Sequence, residues 1–215
     1  MIRSTSDDDH LLIAASIRPV PGVLALAGAV VVAAAVTAAR HDHIPAREAR
    51  VFRAVNGLPG WLYVPLWLPM QFGNFTVGLL IGLAVAAALG EVSVAVAVVL
   101  AAIAKLVVER LIRARMAGFG EVRQRPGTSE PGAILRGKDV PLSGPSFPSG
   151  HVILAASIAT VLAEALDPSL VWLPWLAAAL VMVGRVYVGA HNPLDVTAGL
   201  GAGMVIGGLL AMVLR

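Results

Sequence analysis

FPSGHVILAASIATVLAEAL, residues 147–166, joins a chain break rich in special residues to an apolar run whose one acidic residue is Glu164. Pro148 and Gly150 interrupt the chain, and a helix is predicted to start at about Ser149. The first turn of a helix carries backbone N–H groups without intrahelical partners and the positive end of the helix dipole, which together attract an anion. Ser149 adds a hydroxyl there. Gly150 lacks the side chain that would hold an anion away from the backbone. His151 stands beside the same position with a proton to donate.

Apolar runs of similar length recur along the chain. A membrane span takes about 17 to 25 apolar residues, and six such runs are legible: about 20–39, 73–89, 92–112, 151–166, 171–188 and 194–214. Composition agrees, because 58% of the 215 residues are hydrophobic and only 13% are charged. A soluble domain normally carries about a quarter charged residues. The expected fold is an all-α integral-membrane bundle of six transmembrane helices, a single domain over residues 1–215. The chain has no cysteine, so disulfides, zinc–thiolate sites and thiol catalysis are excluded. The leading stretch, MIRSTSDDDHLLIAAS, is acidic and lacks the basic region of a signal peptide, so the first apolar segment is expected to be retained as a span. Only Lys105 and Lys138 are lysines, a bias that points to a GC-rich bacterial genome.

Two connections between the predicted spans are short, Gly90-Glu91 and Asp167 to Leu170, and two are long, 40–72 and 113–150. In the first long one, residues 57–71 combine Pro59, Pro65 and Pro69 with Trp61 and Trp67, as expected of an interfacial segment at headgroup level before the second span. The second, between spans three and four, is the polar loop of the chain, with Arg113, Arg115, Arg123, Arg125, Arg136 and Lys138. With six spans, both long loops and the turn at 189–193 share one face, and both termini share the other. Gly199, Gly203 and Gly207 form a stripe of small residues suited to close helix packing, within one chain or between copies. His41-Asp42-His43 reads as solvated loop, since no further ligand cluster lies nearby, and no metal site is expected.

RVYVGAHNPLD, residues 185–195, carries the second cluster of polar groups. Asn192 and Pro193 suit the N-cap and first position of a helix, which puts Asp195 in its first turn. His191 and Asp195 are four apart, so their side chains meet if that helix begins one residue early. A carboxylate on one imidazole nitrogen fixes the tautomer and leaves the other nitrogen free to attack. Arg185 ends the preceding span and offers a planar fork of donors matched to phosphate. A lone histidine near a helix end is usually an interfacial polar group. Two histidines, an aspartate and arginines at span ends on one face read instead as an anion site, because ionisable groups at membrane spans are costly and tend to be functional.

F-P-S-G-H and R-x5-H-x3-D resemble the second and third signature motifs of the type 2 phosphatidic acid phosphatase superfamily, in its bacterial integral-membrane branch. That superfamily includes membrane lipid phosphatases, glucose-6-phosphatase and the vanadium haloperoxidases. The resemblance covers the second half of the chain, from about Lys105. Two departures stand out. The third motif usually opens Ser-Arg, and here it opens Gly184-Arg185. The first motif, K-x6-R-P, is disrupted: Arg125-Pro126 supplies its Arg-Pro, but the lysine position falls on Gly118. Lys105 is the nearest lysine, and Arg113 or Arg115 could substitute for it. Otherwise Arg110, Arg113 and Arg115 read as a cationic collar for lipid headgroups.

The resemblance implies a two-step phosphoryl transfer without metal or cofactor. His191 would attack phosphorus and form a phosphohistidine, Asp195 would orient it, and His151 would protonate the leaving group and then activate water. Lys105, Arg125, Ser149, Gly150 and Arg185 would hold the phosphoryl oxygens. The implied substrate is a phosphate monoester or diphosphate on a lipid, entering sideways from the bilayer: a polyprenyl phosphate or diphosphate, a phosphorylated polyprenyl sugar, phosphatidylglycerol phosphate or phosphatidic acid. The implied partners are that lipid phosphate and membrane lipids, with no nucleic acid. Of the 16 lysines and arginines, Arg3, Arg18 and Arg215 fall on the terminal face and the other 13 on the motif face. The positive-inside rule then puts the site on the cytoplasmic face of a bacterial inner membrane and favours a substrate made on that leaflet, such as a phosphorylated polyprenyl sugar. Two rival readings follow from the same residues. One is haloperoxidase-like vanadate chemistry, which a lipid-embedded chain disfavours. The other is a catalytically impaired transport or structural protein, which the disrupted first motif keeps in play.

Overall fold

Long apolar runs with few breakers leave the backbone one economical way to satisfy its own hydrogen bonds in lipid, and that is the helix. The computed structural model describes residues 20–40, 43–120, 122–138 and 140–214. The acidic leading stretch, His41, Asp42 and the three terminal-face arginines lie outside the described residues. Among those described, no strand forms. The helices are α1 (Pro21–Ala38), α2 (Ala46–Asn56), α3 (Tyr63–Met70), α4 (Phe75–Leu89), α5 (Val92–Ala117), α6 (Gly150–Ala165), α7 (Trp172–Tyr187) and α8 (Pro193–Leu214). Short 3-10 turns flank α3 and precede α7, and a single helical turn covers Pro126–Ser129.

Helix ends follow local chemistry. The Asn74 side chain accepts from the N–H groups of Thr76 and Val77 and starts α4, and α4 stops at Gly90, whose φ of 70° is left-handed and suits glycine. Asp167 starts the turn before α7 by accepting from Ser169 N–H.

Helix α6 is the axis of the bundle. Every residue from Val152 to Ala163 is buried, packed against α4, α5, α7 and α8. Helix α8 packs against both α6 and α1. The glycine stripe explains the first contact. A Cβ on Gly203 would come 2.5 Å from Ala156 Cβ and 2.6 Å from Ile153 O, and one on Gly207 would come 2.5 Å from Thr160 Cβ. Gly199 meets Ser149 and Val152 in the same way. The stripe therefore packs within the chain. Gly201 and Gly208, on another face of α8, approach the α1 backbone instead.

The all-helical expectation is borne out, while helix length and composition alone give fewer than six clear spans. Among the described residues, four stretches are long and apolar enough to cross a membrane: α1, α5, α8, and Pro168–Tyr187, which contains α7. A fifth is counted if Gly60–Gly73 and α4, bent by 73° to each other, are taken as one broken span. Helix α6 has 16 residues, about 24 Å at the helical rise, against a hydrocarbon core of about 30 Å. It is sheltered by its neighbours rather than by lipid. The third predicted span also runs past residue 112 to Ala117.

The stretch 40–72, expected as a connection with an interfacial piece, contains the amphipathic helix α2. Ala49, Phe52 and Asn56 face inward, while Arg47, Arg50 and Arg53 face out. Its low hydrophobicity hid it from a search for spans, although the inward positions recur at helical spacing. Asn56 ties this helix down: its amide donates to Ile134 O at 2.8 Å and Tyr187 O at 2.9 Å, and its oxygen accepts from Ile134 N–H at 2.8 Å. Both long connections and the turn after α7 thus meet at one end of the bundle.

Candidate active site

Two helix starts face each other at that end. Ser149 is the N-cap of α6, and its N–H donates to Asp195 O at 3.0 Å, joining it to the first turn of α8. Asn192 caps α8: the Asp195 N–H donates to Asn192 O at 3.0 Å, and Asn192 N–H donates back to Asp195 Oδ2 at 2.8 Å. Only the return half of a capping box is made, because Asn192 Oδ1 itself has no hydrogen-bond partner. Helix α8 begins at Pro193, not a residue early, and His191 still meets Asp195. Its Nδ1 lies 3.7 Å from Asp195 Oδ2, within ion-pair reach but longer than a hydrogen bond.

His191 and Asp195 are both buried. Burial pushes the His191 imidazole below its ordinary value, against the pull of Asp195, so the ring rests neutral with a lone pair available for attack. His151, at the first turn of α6, lies within electrostatic reach of Arg185, His191, Lys105 and Arg125. Ser149 Oγ is fully buried and has no hydrogen-bond partner. A buried hydroxyl without a partner is costly, and an arriving oxyanion would satisfy it.

The cations gather around this point. Arg185 is buried at the end of α7. Arg125 donates through Nη1 to Ala190 O at 2.9 Å, next to His191. Burial, and then the charge of Arg113 beside it, pull the Arg125 guanidinium below its ordinary value. Lys105 Nζ lies 2.7 Å from Glu109 Oε2, and a Cβ on Gly150 would collide with that same carboxylate. Lys105, on α5, therefore reaches the α6 helix start despite its displacement from the expected motif position. Arg113 lies 2.6 Å from Glu109 Oε1, which brings it to the same carboxylate as Lys105, the lysine it was expected to be able to replace. The structure thus draws His191, His151, Asp195, Lys105, Arg125, Ser149, Gly150 and Arg185 to one end of the bundle.

Sequence reasoning passed over Arg123, Glu48 and Glu109. Arg123 is 1% exposed, and its Nε donates to Asp195 Oδ1 at 2.9 Å. Its Nη2 pairs with Glu48 on α2, whose Oε1 also accepts from Leu194 N–H at 2.8 Å. Burial works against the Arg123 charge, but Asp195 and Glu48 outweigh it and hold the guanidinium protonated above its ordinary value. Asp195 is thus gripped from the side opposite His191. In the sequence Arg123 reads as one more loop cation, and nothing local marks it: its partners lie 72 and 75 residues away.

A polar cleft lined by Trp67, Gln71, Asn74, Arg136, His151 and Arg185 opens beside the site. An apolar groove of about 390 Å³ starts at Leu68 and Phe72 on the same segment and continues along α4, α6 and α7.

Among solved structures, the chain resembles LpxE from Aquifex aeolicus, with a TM-score of 0.65 and 25% identity over 76% of this chain and 93% of that one. It also resembles the first transmembrane PAP2 type phosphatidylglycerolphosphate phosphatase from Bacillus subtilis, with a TM-score of 0.65 and 20% identity over 90% of this chain and 95% of that one; this second likeness speaks for the fold alone. Comparison with curated protein sequences returned no match. The family model described as the PAP2 superfamily matches residues 92–215, more than half of the chain and the part that carries both motifs, so this chain belongs to the PAP2 superfamily.

Proposed function

We propose that the chain is a membrane lipid phosphatase acting on a phosphate monoester or diphosphate through a phosphohistidine on His191. The observation that carries this reading is a buried neutral imidazole beside a fixed carboxylate, next to a helix start with an unsatisfied hydroxyl and several cations. His191 attacks phosphorus, and Asp195, held by Arg123, stabilises the charge that develops on the ring. His151 gives its proton to the leaving oxygen and takes one from water in the second step. Lys105, Arg125, Arg185, Ser149 Oγ and the Gly150 backbone hold the phosphoryl oxygens as their charge changes. The donor set is cationic and hydroxylic, matched to the anion itself, and needs neither metal nor cofactor.

The chain works as a single domain in a bacterial inner membrane. It crosses six times, with α6 as a shielded central span and residues 57–71 lying at the interface. The apolar groove beside the polar cleft supports a substrate whose hydrocarbon stays in the bilayer while its headgroup enters the site. The excess of cations at this end supports a cytoplasmic site and a substrate made on that leaflet, with a phosphorylated polyprenyl sugar favoured. The test is phosphate release from a panel of lipid phosphates in EDTA by the purified full chain and by His191→Ala. Release by the wild type alone is the expected result. Equal release by the variant, or none by either, overturns the proposal.

A further inference from the structure

Glu109 has no part in the reaction just described, yet it sits at the heart of the site. Its side chain is 14% exposed, as is that of Lys105. One carboxylate oxygen pairs with Lys105 and the other with Arg113. The group rests on Gly150 so closely that a Cβ there would overlap its Cδ and both oxygens. Glu109 also acts electrostatically on Arg125. Its carboxylate therefore lies between cations and against Gly150, the first residue of α6. Ser149 Oγ, buried and without a partner, is a second and independent sign that this helix start is built for a ligand.

We propose that Glu109 is a built-in competitor for the phosphate cradle. Without substrate its carboxylate fills the anion position, and an incoming phosphoryl group takes that position by displacing it from Lys105 and Arg113. Like charges this close repel strongly where water is scarce, so a phosphate and the carboxylate do not share the spot. The Arg113 side chain is 40% exposed, so the carboxylate can follow it toward the exposed side when displaced. The displacement weakens the binding of every anion by a common factor. It also keeps Lys105, Arg113 and Arg125 from repelling one another in the empty site. A carboxylate that only braced Lys105 and Arg113 would have the opposite effect on phosphate binding, so the sign of a single substitution separates the two roles.

This inference rests on the phosphatase reading above, and its test separates the two. The full-length protein in detergent is compared with Glu109→Gln, using inorganic phosphate as the probe, by inhibition of lipid phosphate turnover and by thermal unfolding. Removing one adjacent like charge is expected to lower the inhibition constant of phosphate about tenfold. Without phosphate the variant should unfold at a lower temperature than wild type, and added phosphate should raise its Tm by more. An unchanged or raised inhibition constant, together with a Tm response no larger than that of wild type, overturns the proposal. Should Glu109→Gln fail to fold, Glu109→Asp, which cannot span Lys105 and Arg113 at once, is expected to move both measures in the same direction. Wild-type protein that turns over no lipid phosphate sinks the phosphatase reading, while the unfolding comparison still reports on Glu109.

Discussion

Replacing Arg123 by methionine tests how Asp195 is held. The guanidinium is 1% exposed and bridges two carboxylates, Asp195 at 2.9 Å and Glu48. At an effective dielectric of about 20, each pair at roughly 4 Å is worth about 4 kcal/mol before desolvation is counted. Removing one partner of a buried ion pair costs about 3–5 kcal/mol, because the other charge stays buried without compensation. Here two carboxylates would be left facing each other. Against a total stability of about 5–15 kcal/mol, the loss should lower the Tm in detergent by about 10 °C for a chain of this size. Asp195 should also turn away from Glu48 and from His191, and misplacement of about 1 Å typically costs about 100-fold in turnover. Arg123→Lys, with a single ammonium in place of the fork, should fall between wild type and Arg123→Met in both measures. In the double variant with Glu48→Gln, the leftover repulsion is relieved, so the two effects should be less than additive by about 1 kcal/mol or more. Wild-type kcat and Tm in Arg123→Met, or strict additivity in the double variant, would refute the reasoning.

Burial holds the His191 imidazole below its ordinary value, so below about pH 6.5 the unfolded chain takes up a proton there that the folded chain refuses. That contribution is present above this pH and lost as the pH falls. The Tm should therefore drop between about pH 7.5 and about 5.5, and less steeply in His191→Gln; equal slopes would contradict the shift. Gly203→Val should wedge α6 from α8, since even a Cβ would lie 2.5 Å from Ala156 Cβ. A loss of about 1–3 kcal/mol is expected from overpacking, read by thermal unfolding; a variant as stable as wild type would mean that the helices separate freely.

Much of the site was legible because its chemistry is local. Ser149 and Gly150 announce a helix start, Asn192-Pro193-Leu194-Asp195 announces another, and His191 and Asp195 are four residues apart. The glycine stripe was legible as a packing surface, though only the structure shows it seated on Ala156 and Thr160 of α6. What escaped was non-local. Arg123 looks like any loop arginine until α2 brings Glu48 to it, and α2 itself is too polar to register as a span. Glu109 went unread and Arg113 stood only as one substitute for the motif lysine or as a headgroup cation, because the approach of Glu109 to Gly150 depends on how α5 packs against α6. The count of spans is harder to read for a related reason. Apolar length says that a segment avoids water, and α6 avoids it among other helices.

The central claim is a covalent one, and it can be caught directly. A lipid substrate carrying radiolabelled phosphate is mixed with the purified chain, and the reaction is quenched rapidly in alkali. The account predicts protein-bound label that survives alkali and is lost in acid, as a phosphoramidate is, mapping to His191 and absent from His191→Ala. The label should accumulate to a higher level in His151→Ala, with a leaving group that needs no proton, because water is no longer activated to release it. Phosphate release by His191→Ala, or label on any other residue, would contradict it.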